Sequence, residues 1–307
     1  MKVLVTGGAG FVGSNIVRML EAKGAKTIIF DNFYSANYKN ILDIKGEVIC
    51  ADVLDKEVFK KLPKLDAVIH EAAITDTTLN DDTKMMMVNY NGFKNIADFC
   101  LSRKIKLVYA SSAGVYGATN AVMQEEQEPI PHNTYAYSKY LCDCYLGKIL
   151  KLKSSSLIVG LRYFNVYGPG EYHKGSAASM IYQLYRQMFN NQRPRVFKYG
   201  EQKRDFIYVK DVARISIEAL QLKKSNIFNV GTATPRSFND IIKVLNNVLK
   251  TNLEPDYFDN PYRDKYQDYT QADITRLRKV MKTTANFSLE QGIKDYVLNY
   301  LNPQKLL

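Results

Sequence analysis

The strongest constraint on the fold lies at the very start of the chain. Lys2–Thr6 (KVLVT) is a short, apolar, β-branched run, and it leads directly into Thr6-Gly7-Gly8-Ala9-Gly10-Phe11-Val12-Gly13. An amphipathic stretch, Ser14–Lys23, follows, so the glycines are predicted to sit in a tight turn between a strand and a helix. Gly7 allows the turn, Gly10 lets a bound group approach the backbone, and Gly13 lets the helix pack closely on the strand. The unpaired amides at such a helix start carry partial positive charge and suit a pyrophosphate. Gly7, Gly10, Phe11, Val12 and Gly13 are therefore expected to cradle a dinucleotide. Glycines alone would describe any tight turn. Asp31 adds weight, because a carboxylate ending the second strand is placed to take ribose hydroxyls.

The same rhythm continues. Thr27–Phe30, Glu47–Cys50, Ala67–His70, Lys106–Ala110, Leu157–Phe164 and Asn226–Val230 are short and apolar, separated by stretches of helical length. Strands alternating with helices imply an α/β fold: a doubly wound parallel (Rossmann) sheet covered on both faces. After Phe164 the rhythm breaks. Asn165–Ala177 reads as a loop, Ser179–Asn190 and Phe238–Lys250 as helices, Pro194–Tyr199 and Asp205–Val209 as short strands, and Pro255–Asp268 as irregular. The expected organisation is a dinucleotide-binding domain, 1–165 plus 211–230, and a smaller, discontinuous α/β substrate-binding domain, 166–210 plus 231–307.

Composition narrows the function classes. At 307 residues and 46% hydrophobic, the chain can bury a large core. The net charge of +11 is spread without a long basic block, which fits solvated lysines or attraction of a polyanionic small molecule; nucleic acid and membrane are not expected as partners. Cys50, Cys100, Cys142 and Cys144 make no C-x-x-C pair and no disulfide framework. Reduced thiols, Met1 running straight into a strand and the lack of a bilayer-length apolar run predict a cytoplasmic protein. His70, His132 and His173 are scattered, so no metal site is expected. His70 is expected to pack beside the cofactor loop, and His132 to lie on a surface loop.

Further residues fall around the predicted crevice. Asn32 follows Asp31, and Lys39 lies in the next segment, where it could reach a 2′-phosphate; the residues alone leave NAD and NADP open. Asp52 and Val53, after the third strand, are expected to flank the adenine. Glu71, Ala72 and Ala73, after the fourth, let the backbone pass the cofactor, and Asn89 is expected to hydrogen-bond nearby backbone. Tyr135-Ala-Tyr-Ser-Lys139 places a phenol and an ammonium at i and i+4 on one helical face. A free tyrosine titrates near about 10, so acting as a base at neutral pH needs about 4 kcal/mol of help, which a neighbouring ammonium can supply. Lys139 can also hold the nicotinamide ribose. Ser112, in Tyr109-Ala-Ser-Ser-Ala-Gly-Val-Tyr-Gly117, can orient a substrate hydroxyl.

With the glycine turn, the Ser-Ser strand end and Tyr135/Lys139 in this order, the chain resembles the extended short-chain dehydrogenase/reductase family. Arg162-Tyr-Phe-Asn-Val-Tyr-Gly-Pro169 and Arg204-Asp-Phe-Ile-Tyr-Val209 extend the resemblance over nearly the whole chain. Within that family, Asn165-Val-Tyr-Gly-Pro-Gly-Glu-Tyr-His-Lys-Gly-Ser176 and Tyr266-Gln-Asp-Tyr-Thr-Gln-Ala-Asp273 look like the ADP-L-glycero-D-manno-heptose 6-epimerases. That resemblance implies an isomerase that oxidises carbon 6 of an ADP-linked heptose and reduces it from the other face, for the lipopolysaccharide inner core. It also implies bound NADP (NAD being the alternative) and a homo-oligomer, pentameric in some members. A second acid/base lysine falls on Lys174, whose alternatives are a solvated loop lysine or a phosphate contact. Val166 would touch the cofactor. Asn165, Ser176, Gln183, Phe197, Gly200, Arg204 and Tyr266 would touch the substrate, with Arg204 suited to the pyrophosphate or, alternatively, to an ion pair with Asp205 or Asp211. Three departures touch the sugar contacts: Gln183 stands where His is common, Gly170 where Arg is common, and Phe197–Arg204 is one residue short. The rivals are a nucleotide-sugar 4-epimerase or 4,6-dehydratase and, in another class, a non-catalytic NAD(P)-binding scaffold.

Overall fold

A computed structural model describes residues 1–77, 81–151, 156–260 and 268–301. The apolar runs become strands β1 (Lys2–Thr6), β2 (Lys26–Asp31), β3 (Glu47–Cys50), β4 (Ala67–His70), β5 (Lys106–Ser112) and β6 (Ile158–Tyr163). Short strands follow: β7 (Asn165–Tyr167), β8 (Arg195–Phe197), β9 (Lys203–Arg204), β10 (Phe206–Tyr208), β11 (Asn226–Val230), β12 (Arg236–Ser237) and β13 (Asp256–Phe258). Seven of them form one parallel sheet in the order β11-β6-β5-β4-β1-β2-β3. The doubly wound α/β architecture read from the sequence is the one observed.

Alternation along each strand explains why both faces are covered. Val3 and Val5 point into one cluster with Ile29, Ile69, Val108 and Val159, while Leu4 points into the other with Ile28, Val68 and Leu107. Each such side chain, fully buried, contributes about 1.5–3 kcal/mol. Helix Phe11–Ala22 covers the first face and packs against helix Val209–Ala219. Helices Gly92–Arg103 and Thr134–Lys151 cover the second.

A third apolar cluster gathers residues from the second half. Tyr167, Leu184, Tyr208, Ile241 and Ile293 join Phe11 at the mouth of the sheet. The structure adds elements that local pattern did not predict. Residues 165–167, read as the start of a loop, form β7 because Phe206–Tyr208 lies alongside as a parallel partner. Pro255–Asp268, read as irregular, contains β13, which pairs with β8. Three-residue strands have too little sequence to show a period and exist through their partners. Helix Thr275–Met281 packs on β11, and Ala272, Ile274 and Leu277 belong to the same cluster as Val3 and Val5. Among the described residues no helix is long and apolar enough to cross a membrane.

Candidate active site

The sheet order reverses at β1: β2 follows on one side, and β4 lies on the other. Connections leaving adjacent parallel strands in opposite directions open a crevice at the strands' carboxyl ends, where α/β sheets bind ligands. Here the crevice is about 910 Å³. Its floor is the glycine turn. Gly7 has φ +65°, and a Cβ on it would lie 2.6 Å from the Ala72 amide; a Cβ on Gly13 would lie 2.1 Å from the Gly7 carbonyl. Gly10 precedes helix Phe11–Ala22 and offers no side chain to cap it. The backbone is thus bare where an anionic group would be held.

Of the residues predicted to touch a cofactor, Gly7, Gly10, Phe11, Val12, Gly13, Asp31, Asn32, Asp52, Val53, Glu71, Ala72, Ala73, Lys139 and Val166 line this crevice. Two do not. Lys39 is exposed on the turn Tyr38–Ile41, and Asn89 is buried, its amide group bridging the Ile74 N–H (2.8 Å) and carbonyl (2.9 Å). Asp31 is shaped by its own strand end. One carboxylate oxygen accepts from the Ala9 amide at 3.0 Å, the other from the Phe33 amide at 2.9 Å. Burial raises its pKa, against those two hydrogen bonds. Asn32 donates to Asp52 at 2.9 Å, linking the ends of β2 and β3.

The residues proposed for chemistry converge. Ser112, Tyr135, Lys139 and Lys174 all line the same crevice. Tyr135 and Lys139 lie in the first turns of helix Thr134–Lys151, with the Lys139 Nζ 5.9 Å from the Tyr135 ring centroid. The ammonium donates to the Ala110 carbonyl at 2.9 Å, which ties it to the end of β5. Ser112 ends β5, and its hydroxyl accepts from the Gly114 amide at 3.0 Å. The neighbouring Ser111 hydroxyl is buried in the crevice wall without a protein partner, a polar atom of the kind a bound ligand satisfies.

Burial sets the charge states nearby. His70 is buried and hydrogen-bonds Thr6 through Nδ1 at 2.7 Å; burial, with the Lys139 charge adding to it, pushes it down to about 3, so it is neutral. His132 is exposed. Burial pushes Glu71 up to about 7, against the Tyr163 hydroxyl that donates to it at 2.8 Å and against Lys139. Lys174 sits on the turn Tyr172–Ala177, its Nζ 5.8 Å from the Phe11 ring centroid. Burial lowers its pKa, opposed by the charges of Glu171 and Asp76.

Apart from Ser112, the predicted substrate contacts are not gathered by this crevice. Asn165, Ser176, Gln183, Phe197, Gly200 and Arg204 lie outside its walls, and Tyr266 falls outside the described residues. Asn165 accepts from the Thr270 hydroxyl at 3.0 Å. Arg204 is buried, its guanidinium 6.0 Å from the Phe238 ring. Gln183 donates to the Ser176 and Ala178 carbonyls at 2.9 and 2.8 Å, closing the end of the Lys174 turn. Phe197 stacks edge-on against Phe258, and Gly200 at φ +72° abuts Asn239. Conversely, Asp76, Lys84, Tyr163 and His173 line the crevice without having been singled out. Tyr163 was within reach of the sequence, since it stands at the end of β6 beside Ser112 in register. Lys84 shares a helical face with Val88, at i and i+4. His173 stands inside the segment Asn165–Ser176, next to Lys174, and could have been found there; Asp76 carries no local signal of its own.

A glycine-floored crevice at a topological switch point, with a Tyr-Lys couple at its mouth, defines a nicotinamide-dinucleotide enzyme that handles protons and hydride together. The chain belongs to the NAD dependent epimerase/dehydratase family, whose profile matches residues 3–231. It is 41% identical over 309 residues to an ADP-L-glycero-D-manno-heptose-6-epimerase of Brachyspira hyodysenteriae, covering 96% of each chain. Among solved structures it resembles the ADP-L-glycero-D-manno-heptose-6-epimerase of Helicobacter pylori, with a TM-score of 0.90, 37% identity and 96% and 95% of the two chains covered. It also resembles a UDP-N-acetylglucosamine 4-epimerase from Methanobrevibacter ruminantium, with a TM-score of 0.89, 28% identity and 96% of both chains covered.

Proposed function

We propose that this protein inverts carbon 6 of an ADP-linked glycero-manno-heptose in the cytoplasm, supplying the heptose of the lipopolysaccharide inner core. One observation carries the reading beyond the family: Lys174, on a turn distant in sequence from helix Thr134–Lys151, lines the same crevice as Tyr135 and Lys139. An epimerase that works through a ketone meets its substrate in two orientations, and two separately mounted proton-transfer groups suit that need.

The glycine turn, the end of β2 and the segment after β4 are the residues that would hold the dinucleotide, and the missing Cβ atoms of Gly7 and Gly13 let the turn pack tightly on Ala72 and on itself. When bound, the dinucleotide would supply a reversible hydride acceptor for the sugar carbon. Tyr135 and Lys174 divide the proton work: one removes the proton of the carbon-6 hydroxyl, the other gives a proton to the oxygen when the opposite face is reduced. The Lys139 ammonium, fixed on the Ala110 carbonyl, stands on the same helical face as Tyr135. Ser112 orients the reacting oxygen. The lobe formed by 166–210 and 231–307 takes the sugar nucleotide through Arg204, Ser176 and their neighbours, with Asn165 reaching it from the dinucleotide lobe of 1–165 with 211–230.

We read the cofactor as NADP. Asp31 already accepts two backbone amides, while Lys84, whose Nζ stands 4.0 Å over the Tyr34 ring at the crevice wall, brings a cation to that rim. Denaturing the purified protein and weighing the released nucleotide by mass spectrometry tests this; NAD in its place overturns it. We read the assembly as a homo-oligomer, a pentamer by family resemblance, to be measured by light scattering.

Incubation with ADP-heptose, UDP-galactose and GDP-mannose tests the substrate. Inversion at carbon 6 of the first is expected, and turnover of only another sugar nucleotide would move the protein elsewhere in the family. Tyr135→Phe is expected to lower epimerisation by on the order of 10²–10⁴-fold with the nucleotide still bound. Near-normal turnover would remove Tyr135 from the mechanism.

A further inference from the structure

The turn that carries Lys174 has little of its own to hold it. No residue of Tyr172–Ala177 is fully buried, Lys174 being partly enclosed, and a Cβ on Gly175 would meet nothing within 4 Å. Apolar packing therefore does not explain why the ammonium is held in the crevice wall. The preceding residue, Glu171, is only 1% exposed and does not line the crevice. Its carboxylate accepts from the Gly168 amide at 3.0 Å, from the Ser179 amide at 2.5 Å and from the Ser179 hydroxyl at 3.0 Å. Its backbone carbonyl accepts from the Lys174 amide at 2.9 Å. Ser179 in turn caps helix Met180–Phe189. Both ends of the segment 168–179 close on one buried carboxylate, and Lys174 lies between them.

Such a carboxylate is stable only if its charge is answered, because a buried ion needs hydrogen bonds and a counter-charge. Three donors provide the hydrogen bonds, yet burial still raises the Glu171 pKa, against those donors and the Lys174 charge. The exchange is mutual: burial lowers the Lys174 pKa, and the charge of Glu171, ahead of that of Asp76, opposes the fall.

We propose that Glu171 is the positioning residue for Lys174, closing the loop that aims the ammonium into the crevice and supplying its counter-charge. The inference rests on reading Lys174 as the second acid/base group. Glu171 itself touches neither sugar nor cofactor.

Glu171→Gln keeps the size of the side chain and one acceptor oxygen but removes the charge. It is expected to lower kcat by about 10–100-fold, within the range of a lost acid/base contribution. KM for ADP-heptose should stay within about threefold, as expected when an interaction specific to the transition state is lost. Without the counter-charge, the limb of the kcat–pH profile that reports Lys174 should move to lower pH. Glu171→Asp, which keeps the charge, should restore that limb. The decisive comparison is a double-mutant cycle: in a Lys174→Met background, Glu171→Gln should change the residual rate by less than about twofold, because two residues acting as one unit are not additive. An equal loss in both backgrounds would make Glu171 a general structural staple and overturn the proposal. Should Glu171→Gln fail to fold, Glu171→Asp carries the same cycle. If instead Lys174→Met alone keeps full activity, the fault lies in the role given to Lys174 and not in its link to Glu171.

Discussion

His70 and Glu71, adjacent at the end of β4, are displaced by burial in ways that oppose each other in the pH dependence of stability. His70 falls from an ordinary value of 6.5 to about 3, so the unfolded chain binds a proton that the native one refuses, and stability is lost as pH falls through that window. Glu71 rises from 4.5 to about 7, so the native chain keeps a proton that the unfolded one releases, and stability is lost as pH rises through that window. Glu71→Gln removes the second effect alone. Relative to the wild type, the variant is expected to gain up to roughly 3 kcal/mol between pH 4.5 and 7, taking about 1.4 kcal/mol per pH unit. Urea unfolding at several pH values measures this, and a difference that does not change with pH would show that Glu71 stays ionised throughout. At this scale the sequence spoke clearly where spacing carries chemistry. Tyr135 and Lys139 are set by a helical interval, and Gly7 and Gly13 by the turn they must make. Asp76 was invisible because nothing local distinguishes a crevice-lining side chain from a solvated one.

Helix Thr134–Lys151 presents Tyr135 and Lys139 from its first turns, and its orientation is fixed further along. Asp143 accepts from the Arg162 Nε at 2.8 Å and from the Tyr109 hydroxyl at 2.9 Å; Arg162 also donates to the Tyr116 hydroxyl, which donates to Asn229. This buried network joins the helix to β5, β6 and β11. Asp143→Ala strands the guanidinium in the core, and a loss of about 3–5 kcal/mol is expected in denaturant unfolding. A loss under about 1 kcal/mol would mean that Arg162 finds another partner. The long elements matched their sequence pattern because twelve or more residues show a period. The short strands β7 and β13 did not, since each exists only where another segment runs beside it.

Over the whole molecule the chain leaves the main sheet after β6 and returns to it at β11. β11 completes the edge of the main sheet after β7 to β10 have formed elsewhere, and Leu277 returns to the cluster that holds Val3. A chain ending at residue 225 would therefore lose a sheet strand and part of that core. It is expected to show no cooperative thermal transition by circular dichroism; a cooperative melt would reveal an independently stable half. What the amino-acid order settled unaided was the alternating α/β layout, the dinucleotide turn and the Tyr-Lys couple, because each is a short-range pattern enforced by backbone geometry. Family resemblance had already named Lys174 beside Tyr135; tertiary structure alone decided that Arg204 and Asn165 stand outside the crevice and that Glu171 is buried at the start of the Lys174 turn. Those relations arise from packing between distant segments, and no interval along the chain encodes them.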